Sequence, residues 1–191
     1  VCPNRVYIQA GIKDAYLEAL TARVAALKVG DPFAPDTEIG PLIDEKGVTK
    51  VEDHIARTVA AGGKVLTGGQ RLEGRFFQPT VMAGGDDELF CHEETFGPLV
   101  PVFTFDAEEE AITRANASEF GLAAFLFSDD LNRAMRVGRA IEAGIVGINS
   151  GLISNAANPF GGVKQSGFGR EGSTYGIDDY LQVKALTLAL R

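Results

Sequence analysis

The run Cys91-His92-Glu93-Glu94-Thr95-Phe96-Gly97-Pro98 gathers a thiol, an imidazole, two carboxylates, a hydroxyl and an aromatic ring ahead of a Gly-Pro turn. If Glu94 to Phe96 is extended, Glu94 and Phe96 point to the same side, setting a carboxylate beside a ring. A carboxylate accepts from two vicinal hydroxyls, as on a ribose, and a ring offers an apolar edge to a planar heterocycle. The competing reading is a solvated acidic pair with Phe96 in the core. Cys91 is expected to pack in the core, and a local charge from Glu93 or Glu94 suffices to explain His92.

Other chemistry is weaker. Gly167-Phe168-Gly169-Arg170-Glu171-Gly172 matches G-x-G-x-x-G letter for letter. That fingerprint works only between a strand and a helix, in a βαβ unit of ~30 residues with an acidic residue about 20 further on. Too few residues follow Gly172, and the last acidic one is Asp179, so a tight surface loop is expected. The two histidines, His54 and His92, are too few and too far apart to suggest a metal cluster, and no metal is expected. His54 is expected on the surface of a helix. Neither a G-x-S-x-G elbow nor a Walker sequence occurs, which leaves α/β-hydrolase and P-loop chemistry unsupported.

The elements that must position these residues follow from periodicity. Arg5–Gln9 reads as a strand, and Ile12, Tyr16, Leu20, Val24 and Leu27 then mark one helical stripe that Gly30 closes. A proline-rich connection runs to Pro41. Asp44 caps a second helix with Val48, Val51, Ile55 and Val59 on its stripe, ended by Gly62-Gly63. Lys64–Thr67, Phe76–Met82 and Val100–Phe105 are strand candidates. Asp106 with Glu109 resembles a capping arrangement for a helix through Ala115. Ala123–Phe127, Leu131–Ile141 and Ile145–Asn149 then read as strand, helix and buried strand. This alternation predicts an α/β fold, a mainly parallel sheet with helices on both faces. Beyond it, Ser150 to Gly176 holds seven glycines, a long loop of functional character. Leu181–Leu190 alternates apolar residues and requires a sheet edge, such as another subunit's.

Composition narrows the setting. The 191 residues include 18 Lys and Arg against 26 Asp and Glu, a net charge of −8 without a basic block, so neither nucleic acid nor an anionic membrane is an expected partner. No apolar run approaches the ~20 residues of a membrane-spanning helix. Two cysteines fit a reducing, cytoplasmic compartment and exclude a disulfide framework. The sequence opens Val1-Cys2-Pro3-Asn4-Arg5 without Met and enters a strand almost at once, which leads us to expect a piece of a longer protein.

Three segments, Cys2-Pro3-Asn4-Arg5, Glu93-Glu94-Thr95-Phe96-Gly97-Pro98 and Pro159-Phe160-Gly161-Gly162-Val163-Lys164-Gln165-Ser166-Gly167, together resemble the aldehyde dehydrogenase superfamily, in its order and spacing. Ile39–Ile43, Gly151–Asn155 and Arg170–Ser173 look most like its succinate-semialdehyde dehydrogenase branch. The resemblance runs from Val1 to Arg191 and covers the C-terminal part of that family's chain. It implies catalytic-domain sequence over residues 1–176 and an oligomerisation segment over 177–191, hence a homo-oligomer. It also implies oxidation of succinate semialdehyde to succinate with NAD or NADP, bound mainly by a domain outside this chain. In that chemistry a thiolate attacks the aldehyde, hydride leaves to NAD(P)+, and water hydrolyses the thioester.

By the same resemblance the nucleophile falls immediately before Val1. No catalytic residue is then expected within the chain, which alone would be inactive, and Cys2 becomes a second thiol able to act as a redox partner. Glu94 would hold the nicotinamide ribose and Phe96 would border the nicotinamide ring. Ser154 would donate to the substrate carboxylate and Phe160 would wall the aldehyde tunnel. Alternatives are glutarate semialdehyde or an uncharged aldehyde as substrate, a non-catalytic assembly module, and Cys2 itself as nucleophile.

Overall fold

A β-branched and aromatic run forms β1 (Val6–Gln9), and a 3-10 turn at Ala10–Ile12 leads into α1 (Lys13–Ala25) in the computed structural model, which describes residues 3–190. Then follow α2 (Glu45–Ala60), β2 (Lys64–Thr67), β3 (Thr80–Ala83), α3 (Glu88–His92), β4 (Leu99–Phe105) and α4 (Glu108–Asn116). These elements form one compact unit ending at Ala117, and a second begins at Ser118.

The first unit is built on a four-stranded sheet in the order β1-β4-β3-β2. β4 pairs in parallel with β1, Val6 opposite Val102, and with β3, Thr80 opposite Leu99. β2 joins β3 antiparallel, so the sheet is mixed, with two of its three strand pairings parallel as expected. The period of two along the strands divides the core between the faces. On one face Ile8, Val81 and Val102 meet Leu17, Leu20 and Val24 of α1. On the other, Met82, Leu99 and Phe103 meet Ile55 of α2 and Leu89 and Phe90 of α3. Helices thus cover both faces, as expected, and each fully buried aliphatic or aromatic side chain contributes roughly 1.5–3 kcal/mol.

Two helical stripes differ from expectation. α1 turns Leu17, Leu20 and Val24 inward, whereas Ile12 and Tyr16 are exposed. α2 begins at Asp44, whose carboxylate accepts from the Gly47 amide, and buries Val48, Val51, His54 and Thr58. His54 is therefore not a surface residue: it is 0% exposed. The reason is angular. His54 follows Val51 by three residues and precedes Thr58 by four, which keeps it on the inward stripe, while Val59 has rotated towards solvent. At α4, Glu110 rather than Glu109 reaches back, accepting from the Asp106 amide.

The second unit comprises β5 (Phe120–Gly121), β6 (Ala123–Leu126), α5 (Leu131–Ala140), β7 (Ile145–Ile148) and β8 (Val163–Lys164). Asp130 caps α5 through the Arg133 amide, and the helix connects β6 to its parallel neighbour β7, with Ala123 opposite Ile145. β5 pairs antiparallel with β8. Residues 181–190 form no strand, and Val183, Leu186, Leu188 and Leu190 stand exposed. Among the described residues no helix is long and apolar enough to cross a membrane.

Candidate functional site

The acidic-aromatic segment leaves the C-terminus of α3 in extended geometry at Glu93, with φ −124° and ψ 124°. Exposure then alternates. Glu94 is exposed, Thr95 is 4% exposed and Phe96 is 82% exposed. Glu94 and Phe96 thus share the solvent side of a buried threonine, and the reading with Phe96 in the core does not hold. Phe96 adopts φ 49°, a left-handed conformation that costs an L-residue roughly 1–2 kcal/mol. The surroundings must therefore determine it. Gly97 follows with no room for a side chain, since a Cβ there would collide with Val51 of α2. The Pro98 carbonyl then accepts from the Thr80 amide at 2.8 Å.

Side chains from distant elements fasten the segment from beneath. Asn4 donates through Nδ2 to the carbonyls of Phe90 and Glu93, at 2.9 and 2.8 Å, and accepts at Oδ1 from the Thr95 amide at 2.9 Å. His54 stands edge-on to Phe90, with Nδ1 3.0 Å from Thr95 Oγ1 and Nε2 3.3 Å from Glu93 Oε2. Arg57 reaches the other Glu93 oxygen at 2.9 Å. The Arg57 and His54 hydrogen bonds hold the Glu93 carboxyl below the usual carboxylate range, so it is an acceptor only. Nε2 of His54 must then carry hydrogen, and Nδ1 of the neutral ring accepts from the Thr95 hydroxyl. Burial supports that neutral form, pulling the His54 pKa down by more than the Glu93 carboxylate lifts it.

An exposed carboxylate and an exposed ring flanking one buried residue can offer an acceptor to hydroxyls and an apolar face to a planar ring.

The second candidate element lies in the Gly-rich stretch. Ser154 and Phe160 line one concavity of about 370 Å³, together with Asn155, Asn158 and Glu171. Ile153 is buried and anchors the turn, leaving the adjacent Ser154 exposed. Phe160 and Glu171 exchange amide-to-carbonyl hydrogen bonds of 2.9 and 2.7 Å, and the Ser173 amide donates to Ala156 at 2.9 Å. At the root of the stretch the chain passes Gly144 so closely that a Cβ there would strike the Gly161 carbonyl. Gly167, Gly169 and Gly172 all take positive φ, at 110°, 75° and 63°, and no α-helix follows them among the described residues. This is the tight loop expected, without the helix N-terminus that would receive a pyrophosphate.

The remaining candidates are placed as follows. Cys2 lies outside the described residues. Cys91 is buried with Sγ 3.1 Å from Arg5 Nη1, and burial pushes its thiol pKa up. His92 pairs with Glu88 at 3.0 Å, one turn back on α3, instead of with Glu93 or Glu94. Among the described residues no group of His, Cys, Asp or Glu could hold a metal ion. Sequence reasoning missed the roles of Asn4 and His54. For His54 the available signal was its place three residues beyond Val51 on the inward stripe.

Residues 1–186 match the Aldehyde dehydrogenase family. The chain is 51% identical, over its full length, to the glutarate-semialdehyde dehydrogenase of Pseudomonas putida, of which it spans 40%. It is also 51% identical to the NADP(+) succinate-semialdehyde dehydrogenase of Escherichia coli, again over the whole chain and 40% of that protein. The crystal structure of aldehyde dehydrogenase from Brucella melitensis biovar abortus 2308 superimposes with a TM-score of 0.93 at 53% identity, covering 95% of this chain and 38% of that one.

Proposed function

The chain belongs to the aldehyde dehydrogenase family, and on that premise we propose that it is the substrate-side portion of an NAD(P)-dependent semialdehyde dehydrogenase, with succinate semialdehyde as its first substrate. In the balanced reaction, aldehyde, water and NAD(P)+ give carboxylate, NAD(P)H and two protons. The bound nucleotide supplies the hydride acceptor. Within the chain, the Glu94 carboxylate accepts from the ribose hydroxyls and the Phe96 ring borders the nicotinamide. The Ser154 hydroxyl donates to the distal carboxylate of the substrate, and Phe160 walls the path of the aldehyde. No catalytic residue is assigned within residues 3–190: the reacting thiol comes from outside them, and Cys2 is the neighbouring thiol that could form a disulfide with it under oxidation.

The observation that carries this reading is that Ser154 and Phe160 line the same shallow, open depression. Glutarate semialdehyde is a second reading, favoured by the equal identity to the Pseudomonas putida enzyme. The exposed apolar residues of 181–190 support one further element, a homo-oligomer in which this segment adds to a strand of another subunit.

The test is reduction of NAD+ and NADP+ by this chain, and by the protein extended upstream, with succinate semialdehyde, glutarate semialdehyde and an uncharged aldehyde. Activity of the extended protein alone, with Ser154→Ala raising KM for the acidic aldehydes only, is the expected result. Turnover by the 191-residue chain itself would instead make Cys2 the nucleophile. An equal effect of Ser154→Ala on the uncharged aldehyde would remove the carboxylate contact.

A further inference from the structure

The hydrogen bonds beneath Thr95 point to residues that touch neither nucleotide nor aldehyde. We propose that His54 and Asn4 are positioning residues for the nucleotide: by holding Thr95 inward, they fix Glu94 and Phe96 outward at the spacing that a ribose and its heterocycle require. The inference rests on the reading of Glu94 and Phe96 given above.

Three features carry it. Thr95 is held through both its amide and its hydroxyl, by Asn4 Oδ1 and by His54 Nδ1, at 2.9 and 3.0 Å. Asn4 also takes the Glu93 carbonyl, so a single side-chain amide spans the backbone on either side of Glu94. Finally, Phe96 sits at φ 49°, a conformation that an unrestrained phenylalanine leaves. Release of Thr95 would let Phe96 leave its left-handed conformation, changing the direction of its ring relative to Glu94. A displacement of that kind, on the order of 1 Å, is enough to reduce catalytic efficiency by as much as ~100-fold.

The two ring nitrogens of His54 allow the lock to be separated from the core. Asn at this position offers an amide oxygen where Nδ1 lies and keeps an acceptor for Thr95, whereas Gln reaches towards Glu93 and abandons Thr95. The experiment uses the active dehydrogenase that contains this chain, with Glu94→Ala, His54→Ala, His54→Asn, His54→Gln and Asn4→Ala. KM for NAD(P)+, KM for the aldehyde and the unfolding temperature are measured for each.

The expected result is a KM for nucleotide raised about tenfold in His54→Gln and Asn4→Ala, near the starting value in His54→Asn, and a KM for aldehyde changed less than about twofold throughout. If His54→Ala fails to fold, the Asn and Gln pair still decides. Equal nucleotide KM in that pair, or equal changes in both KM values, would overturn the positioning role and leave His54 a core residue. A nucleotide KM unmoved by Glu94→Ala would instead overturn the assignment of Glu94 itself.

Discussion

Segment 93–98 presents two exposed residues, Glu94 and Phe96, and the stretch 150–176 an exposed Ser154 and a half-buried Phe160, yet the two are held by opposite means. The first depends on polar side chains sent from elsewhere: Asn4 ahead of β1, and His54 and Arg57 from α2. The second depends on its own main chain, through the Phe160–Glu171 and Ser173–Ala156 hydrogen bonds, and on glycines that let strands of backbone nearly touch. The contrast teaches where each region is vulnerable. An edge held from beneath by distant side chains fails when a remote polar group is lost. A loop that only needs to present a hydroxyl fails when a small residue grows.

Four substitutions or conditions would break or sharpen this contrast. The largest effect is expected at Gly144→Ala, because the new methyl meets the Gly161 carbonyl, a main-chain atom unable to step aside. About 3 kcal/mol of stability should be lost, and denaturant unfolding would show it. A loss below about 0.5 kcal/mol would mean that the stretch is not held by close approach. Next, His54→Ala removes a fully buried ring and strands the Thr95 hydroxyl, costing about 2 kcal/mol in the same measurement.

A pH effect follows in size. Burial lowers the folded-state pKa of His54 below its unfolded value of about 6.5. The unfolded chain therefore takes up a proton that the native protein refuses. Stability is complete above about pH 6.5 and declines as the pH falls below it, by at most about 1.4 kcal/mol per unit. Unfolding midpoints between pH 7.5 and 5.5 should fall less steeply in His54→Asn, and identical slopes would contradict the buried neutral ring. The smallest stability effect is expected at Ser154→Ala: Ser154 is exposed, and the midpoint should move by no more than about 0.5 kcal/mol while KM for an acidic aldehyde rises. A large loss of stability would show that the hydroxyl supports the loop itself.

Much of this organisation was legible in the residues. The strands β1, β2, β4, β6 and β7 and all the helices except α3 were marked by local periodicity, and α2 also by its Asp44 cap. The Gly-rich stretch stood out because its length has no place in a compact domain without a role. The exposure of Glu94 and Phe96 on either side of a buried Thr95 matched the extended reading, whereas the left-handed turn at Phe96 did not show in the residues. What was hidden depended on partners far away in sequence. His54 stood at an inward angle on its helix, but the partners that let a polar ring remain buried there, Glu93 and Thr95, lie far away in sequence. The antiparallel pairing of β2 was equally hidden, since a four-residue strand carries no mark of its direction.

The Asn4 clamp has an entropic meaning. Its bonds to Phe90, Glu93 and Thr95 close loops of 86, 89 and 91 residues. Closing a flexible loop of that length costs about 4 kcal/mol of chain entropy beyond a constant term. No few-residue contact meets that cost alone, so the clamp depends on the docking of β1 against β4, which closes a loop of similar length. The edge that would face the nucleotide thus has no shape of its own apart from the sheet: a chain in which β1 is not docked would have nothing to offer the cofactor.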